Sequence, residues 1–166
     1  MMQYDRERAV AYAMQWWNGR NPEFPAFRVD CTNFISQCLY AGGAPMRGAP
    51  DKSTGWWMKP EQGIWSFSWS VAHSLRWYLE TSKRGLTATR VYSPTDLEIG
   101  DVIAYDFSGD DRIDHTTIVT SIQGGIPYVH AHTSNSANRI YHYRDSTAAT
   151  PMMRYYYFRI SDTFYL

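Results

Sequence analysis

Apolar residues recur with helical periodicity in three stretches of the chain, and glycines follow each stretch as stop signals. The pattern predicts helices over Tyr4–Trp17, from Cys31 to the Gly42-Gly43 pair, and over Val71–Lys83. The first helix carries an apolar stripe and should pack beside the second. The second helix therefore begins with a cysteine and has the composition of a buried element.

After residue 97 the apolar pattern takes the period of β-strands, rich in β-branched residues. The predicted strands are Leu97–Tyr105, Asp114–Ile122, Ile126–Thr133, Ile140–Tyr143 and Met153–Ile160. A Gln-Gly-Gly turn joins the second strand to the third as a hairpin. Helices followed by strands predict an α+β domain with an antiparallel sheet. Because no repeat or linker interrupts the chain, we expect one domain over residues 1–166.

A long irregular segment, residues 44–70, separates the second helix from the third and is rich in Gly, Pro and Trp. Loops of this length in compact domains are usually functional. Two interpretations stand side by side. The tryptophans could form a wall of a substrate groove, with Trp56 and Trp57 as binding residues, or they could simply roof the core.

Composition narrows the class of protein. At 166 residues with 44% hydrophobic and 19% charged residues, the chain can bury one core and is not expected to be disordered. The 16 Lys and Arg balance the 16 Asp and Glu, which argues against nucleic acid or an anionic membrane as a partner. The first residues lack the apolar run of a signal peptide, so the chain is expected to be soluble and not exported, unless a signal was trimmed. We also expect it to be a monomer.

Cys31 is the residue at which the chemistry is expected. Asp30 before it is a good N-cap, and at a helix N-terminus the dipole favours a thiolate while free N–H groups can bind an oxyanion. Most free cysteines are buried and pack like small apolar residues, and we expect Cys38 to be one of these. Two helical turns separate the two cysteines, roughly 10 Å, so they cannot form a disulfide within this helix.

Cysteine catalysis also needs a base and a group that orients it. His115 opens a strand, and His130 and His132 lie two residues apart on the next strand, hence on one face. Alternatively, Cys31 and the three histidines could be drawn as a zinc site. Their spacing matches no common zinc motif, so we expect neither a metal nor another cofactor.

These motifs, taken in order, resemble the putative amidase domain family of bacteria. The residues that carry the resemblance are Asp30-Cys31-Thr32-Asn33-Phe34-Ile35-Ser36-Gln37 with Gly42-Gly43, then Leu97-x-x-Gly100-Asp101-Val102, Asp114-His115, and His132-Thr133. The family is similar to NlpC-type and CHAP cell-wall peptidases, which share a papain-like core. The resemblance implies a nucleophile at Cys31, a base at His115 and a third polar residue on the following strand.

The third position stays open between two histidines. His132 is preferred because the residues after it resemble the amidase family, and His130 is the alternative because NlpC-type enzymes carry the orienting histidine in a similar strand. The expected function is hydrolysis of an amide bond in cell-wall peptide through a Cys31–His115 ion pair, with Asp30 also a candidate substrate-binding residue. The competing hypothesis is an inactive module that binds glycan or peptide in a Trp-rich groove, but the intact Cys-His pair favours an enzyme.

Overall fold

An antiparallel six-stranded sheet with helices packed on one face forms the centre of the computed structural model, which describes residues 1–166. The elements in chain order are β1 (Met2–Gln3), α1 (Arg6–Trp16), α2 (Cys31–Ala41), β2 (Met58–Lys59), β3 (Ile64–Trp65), α3 (Phe67–Ser70), α4 (Ala72–Thr81), β4 (Ala88–Val91), β5 (Val102–Asp106), β6 (His115–Gln123), β7 (Ile126–Ala131), β8 (Ser136–Ile140), β9 (Arg154–Ile160) and β10 (Thr163–Phe164). The large sheet has the order β4-β9-β5-β6-β7-β8, and every neighbouring pair is antiparallel. The prediction of a mixed helical and antiparallel β architecture is confirmed.

The helix that begins with Cys31 is the most enclosed element. Every residue of α2 from Cys31 to Leu39 is buried, since α1, α3, α4 and the sheet all pack against it. The four buried polar side chains of α2, those of Thr32, Asn33, Ser36 and Gln37, each have a hydrogen-bond partner within the protein, as burial requires. In α1, by contrast, the Asp5 side chain caps the first turn by accepting from the Arg8 N–H at 3.0 Å. No helix of the chain is long and apolar enough to cross a membrane.

Strand boundaries differ from the prediction around the two C-terminal hairpins. The third predicted strand ends at Ala131, so His132 lies in the turn that follows β7. The strand predicted over Ile140–Tyr143 is instead β8, Ser136–Ile140, and Tyr143 lies in the loop after it. β4 was not predicted at all. The two-residue strands β1, β2, β3 and β10 are not predicted either. In the large sheet, β4 and the displaced β8 are the edge strands, where polar side chains replace the alternating apolar pattern.

The two faces of the sheet carry different cores. Ile118 of β6 faces the helices, whereas its neighbour Val119 belongs to a second apolar cluster on the opposite face. His115 pairs with Tyr105 of that second cluster, and His130 pairs with Ile118. Because side chains alternate along a strand, His115 and His130 point to opposite faces of the sheet.

The Trp-rich segment roofs the core. Trp56 and Trp57 are 0% and 1% exposed. The Trp56 Nε1–H donates to the Ser36 hydroxyl at 3.0 Å, and the Trp57 Nε1–H donates to backbone carbonyls of its own loop. Their indole nitrogens thus find partners inside the protein, as buried tryptophans require. Trp56 and Trp57 therefore offer no surface to a substrate, in contrast to the groove interpretation.

A buried ion pair fastens α1 to the sheet. Arg6 donates to the Asp101 carboxylate at 2.7 Å, and Asp101, which is 0% exposed, also accepts from the backbone N–H groups of Glu98 and Ile160. Burial raises the pKa of Asp101, and Arg6 opposes that rise. Arg6 is therefore what makes a charged Asp101 tolerable in the interior.

We expect Arg6→Ala to destabilise the protein by about 3–5 kcal/mol, because it leaves a buried carboxylate without its cation. The control is Arg8→Ala, an exposed arginine of the same helix, which should cost no more than about 0.5 kcal/mol. Urea unfolding of both variants measures the difference. Equal losses would show that the Arg6–Asp101 pair does not anchor α1.

Candidate active site

Cys31 lies at the N-terminus of α2 and lines a surface cleft of about 240 Å³, although only 2% of the residue is exposed. The cleft is lined by Val29, Cys31, Thr32, Ser70, Val71, Ala72, Ile113 and Asp114. Asp114 directly precedes His115, so the start of β6 borders the same cleft as Cys31. The hydroxyls of Thr32 and Thr116, 3.2 Å apart, join the first turn of α2 to the same strand.

Asp30 does not cap α2, although the sequence predicts it as the N-cap. One carboxylate oxygen accepts from the Phe27 N–H at 2.9 Å and from the Asn33 amide at 3.0 Å. The other lies 2.6 Å from Nδ1 of His132 and 3.4 Å from Nε of Arg20. Burial opposes ionisation, but these hydrogen bonds, that of His132 first, outweigh it and lower the pKa of Asp30.

The consequence is an uncapped helix end beside the thiol. The Asp30 side chain makes no capping bond, and the backbone N–H groups of Cys31, Thr32 and Asn33 find no acceptor within the protein. Such groups at a helix N-terminus attract negative charge. They could therefore bind an oxyanion that forms next to Cys31.

His115 is buried in an aromatic pocket on the far face of the sheet. Its ring lies among those of Tyr105, Phe107 and Tyr143, and Nε2 is 3.1 Å from the Tyr143 hydroxyl. Burial, helped by the positive charge of Arg139, lowers the pKa of His115 to about 3. The ring is therefore neutral at neutral pH, the form that accepts a proton.

The expected ion pair between Cys31 and His115 is not formed in this structure. The Cys31 thiol contacts the Thr32 hydroxyl at 3.7 Å and makes no hydrogen bond to His115. Catalytic hydrogen bonds often tighten only when substrate is bound, so the separation does not remove His115 as a base.

Neither candidate for the third position hydrogen-bonds to His115. His130 lies on the helix face, with Nδ1 2.7 Å from the Thr120 hydroxyl. The His132 ring lies between Asp30 and the Trp16 carbonyl, 2.7 Å from Nε2, and stacks on Phe34. Cys31 and the three histidines do not converge to form a metal site.

Sequence reasoning missed two features of this region. Tyr143, which reaches His115, was assigned to a strand, and only its place among aromatic and basic residues hints at a role. Val29 and Ser70 also border a second cleft of about 260 Å³, which Phe27 and Trp65 line. The half-buried Trp65, rather than Trp56 or Trp57, is thus the tryptophan next to the Cys31 cleft.

A family model described as "Putative amidase domain" matches residues 3–158, which confirms the resemblance to that family. The chain is 56% identical over 161 residues to the uncharacterized protein YhbB of Bacillus subtilis (strain 168), covering 96% of this chain and 51% of YhbB. It is 31% identical over 145 residues to the uncharacterized protein YjcM of the same strain, covering 81% of this chain and 32% of YjcM.

The chain thus spans about half the length of YhbB and about a third of that of YjcM. No solved structure matches it significantly.

The buried, neutral His115 should make the protein less stable in acid. In the unfolded chain a histidine binds a proton below about pH 6.5, whereas folded His115 stays neutral down to about pH 3, so its contribution is lost as the pH falls through this window. We expect it to account for about 2 kcal/mol of lost stability between pH 7 and pH 5. In His115→Asn, urea unfolding should show a correspondingly smaller loss, and an unchanged pH dependence would contradict the assignment.

The two cysteines should differ sharply in reactivity. Both cysteines are buried, Cys31 at 2% and Cys38 at 0% exposure, but Cys31 lines a surface cleft, whereas Cys38 packs in the core, where burial raises its pKa. Iodoacetamide at about pH 6 should therefore alkylate Cys31 well before Cys38, because reactivity follows thiolate fraction and access. Peptide mass spectrometry after timed labelling measures both sites. Equal rates would argue against an activated thiol at Cys31.

Proposed function

The chain belongs to the family of putative amidase domains, and from this premise we propose that it hydrolyses an amide or peptide bond with Cys31 as the nucleophile. The observation that carries the proposal is the uncapped N-terminus of α2, where Cys31 opens onto a cleft beside three free backbone N–H groups. A nucleophile and an oxyanion site at the same point are what acyl transfer requires.

In the proposed reaction, His115 removes the proton from the Cys31 thiol as sulfur attacks the carbonyl carbon. The carbonyl π-electrons move to oxygen, and the N–H groups at the start of α2 stabilise the oxyanion. The oxyanion collapses, the C–N bond breaks, and His115 gives its proton to the leaving amine. A water molecule, deprotonated by His115, then attacks the thioester and releases the acid and the thiol.

The neutral state of His115 suits this role. The low pKa leaves the ring unprotonated in the resting protein but makes it a weak base, so the imidazolium that forms must be offset by the negative charge of the oxyanion. A preformed thiolate–imidazolium pair, which the sequence analysis expected, would place a cation in the aromatic pocket before any anion arises on the substrate.

The proposed substrate is a peptide of the bacterial cell wall, and the proposed core is papain-like, as in NlpC-type and CHAP peptidases. The order of the Cys, Asp-His and His-Thr motifs supports this kinship. The apolar side chains of Val29 and Val71 on the cleft, with Asp114 as its one charged group, suit a short peptide segment. No cofactor enters the reaction.

We assign His132 a positioning role and leave His130 outside the reaction. His132 holds the Asp30 carboxylate away from α2, so it acts on the oxyanion site through Asp30. His130 is bound by Thr120 on the opposite face from His115. The alternative of an inactive module that binds glycan or peptide in a Trp-rich groove loses the contribution of Trp56 and Trp57, which are buried.

The test is digestion of peptidoglycan fragments with the wild-type protein and three variants. Cys31→Ala should abolish release of new amino groups, His115→Ala should lower turnover by at least about a hundredfold, and Cys38→Ala should retain turnover per folded molecule. Mass spectrometry identifies the bond that gains water. Cleavage that survives in Cys31→Ala would overturn the mechanism, whereas Cys31-dependent cleavage of unrelated peptides alone would overturn only the cell-wall substrate.

A further inference from the structure

His115 has one polar partner for its ring, and that partner is Tyr143. Nε2 lies 3.1 Å from the Tyr143 hydroxyl, while Nδ1 makes no hydrogen bond within the protein. The histidines expected to orient the base are committed elsewhere, His130 to Thr120 and His132 to Asp30. Tyr143 therefore stands where a cysteine hydrolase needs its third group.

Tyr143 is held tightly in an unfavourable backbone conformation. Its φ of 53° is uncommon for a residue with a side chain, and such strain persists only where the surroundings impose it. The Arg139 guanidinium lies 3.7 Å from the ring centroid, and Arg139 is itself fixed by Asp145 at 3.1 Å. The Tyr105 ring packs against the Tyr143 ring, and the two ring centroids are 4.8 Å apart. These contacts fix the direction in which the hydroxyl points.

The Tyr143 hydroxyl can accept a hydrogen bond as well as donate one. Burial raises its pKa, so the group stays an uncharged phenol at neutral pH. An uncharged oxygen can accept from an imidazole N–H without forming an ion pair, so the ring of His115 remains neutral. A proton held on Nε2 in this way leaves the lone pair on Nδ1.

We infer that Tyr143 is the positioning residue of the proposed Cys31–His115 pair: its hydroxyl accepts from Nε2–H of His115 and leaves Nδ1 to take the thiol proton. The inference rests on the proposed function for its catalytic meaning, but the hydrogen bond exists with or without substrate. When His115 becomes an imidazolium, Nε2–H still donates to Tyr143, and that hydrogen bond strengthens because its donor is charged. Tyr143 thus holds the ring and favours the protonated intermediate without touching substrate.

The first test is nitrogen-15 NMR of the histidine rings in the free wild-type protein, with the signals of His115 assigned through His115→Asn. We expect the Nε2–H tautomer to predominate at neutral pH, and Tyr143→Phe to give a mixture of tautomers. A wild-type ring that carries its proton on Nδ1, or a spectrum unchanged in Tyr143→Phe, would overturn the inference. The wild-type spectrum decides even if the variant fails to fold.

The second test is turnover of the peptidoglycan fragments. A hydrogen bond to a charged group supports a fall in kcat of about 10- to 100-fold in Tyr143→Phe, with KM little changed. Tyr155→Phe is the matched control, since it removes a hydroxyl that fixes the same loop through the His142 carbonyl but does not reach His115. Tyr155→Phe should turn over normally, and a loss equal to that of Tyr143→Phe would reduce Tyr143 to a structural role.

The two proposals fail in different ways. If Tyr143→Phe turns over like the wild type while Cys31→Ala and His115→Ala are inactive, Tyr143 has no positioning role and the proposed function stands. If Cys31→Ala retains activity, the proposed function fails, and the catalytic role of Tyr143 fails with it.

Discussion

The arrangement around Cys31 depends on where the Asp30 carboxylate is held. An aspartate before a helix ordinarily accepts from the first-turn N–H groups, and α2 would then have its positive end neutralised. Here the Asp30 carboxylate is hydrogen-bonded instead to His132, Asn33 and the Phe27 N–H, so the first-turn N–H groups of α2 stay free. The same contacts bind the loop before Cys31 to the end of β7. Because the buried carboxylate would be left without these partners in another arrangement, the contacts hold the loop in one conformation.

A second constraint comes from the alternation of side chains in the sheet. Cys31 approaches β6 from the helix face, as the Thr32–Thr116 contact shows, while the His115 side chain belongs to the opposite face. The two can meet only at the end of the strand, where no further residue of β6 separates the faces. For the same reason His130, on the helix face, is separated from His115 by the sheet itself. The base must find its orienting partner on its own face, and Tyr143 of the aromatic cluster lies there.

Sequence patterns predict much of this framework because periodicity reports burial. The α2 helix begins at Cys31, and β6 begins within one residue of its predicted start, since apolar spacing and glycine stops are local signals. The contacts of Asp30 and Tyr143 are not local. Whether Asp30 caps its helix depends on His132, about a hundred residues away, and whether Tyr143 reaches His115 depends on a loop conformation with positive φ. The sequence does not decide whether Trp56 and Trp57 are buried or line a groove, because tryptophan is common in both positions.

The pocket around His115 also bears on the order of events in the proposed mechanism. Burial away from water, and after it the positive charge of Arg139, make an imidazolium there unfavourable and lower the pKa of His115. A resting ion pair with Cys31 would have to overcome that cost without help from substrate. During attack, however, negative charge develops on the substrate oxygen beside the free N–H groups of α2, and it offsets the charge on His115. In the proposed mechanism, proton transfer and attack are therefore coupled, and the uncapped helix end and the buried base each depend on the other.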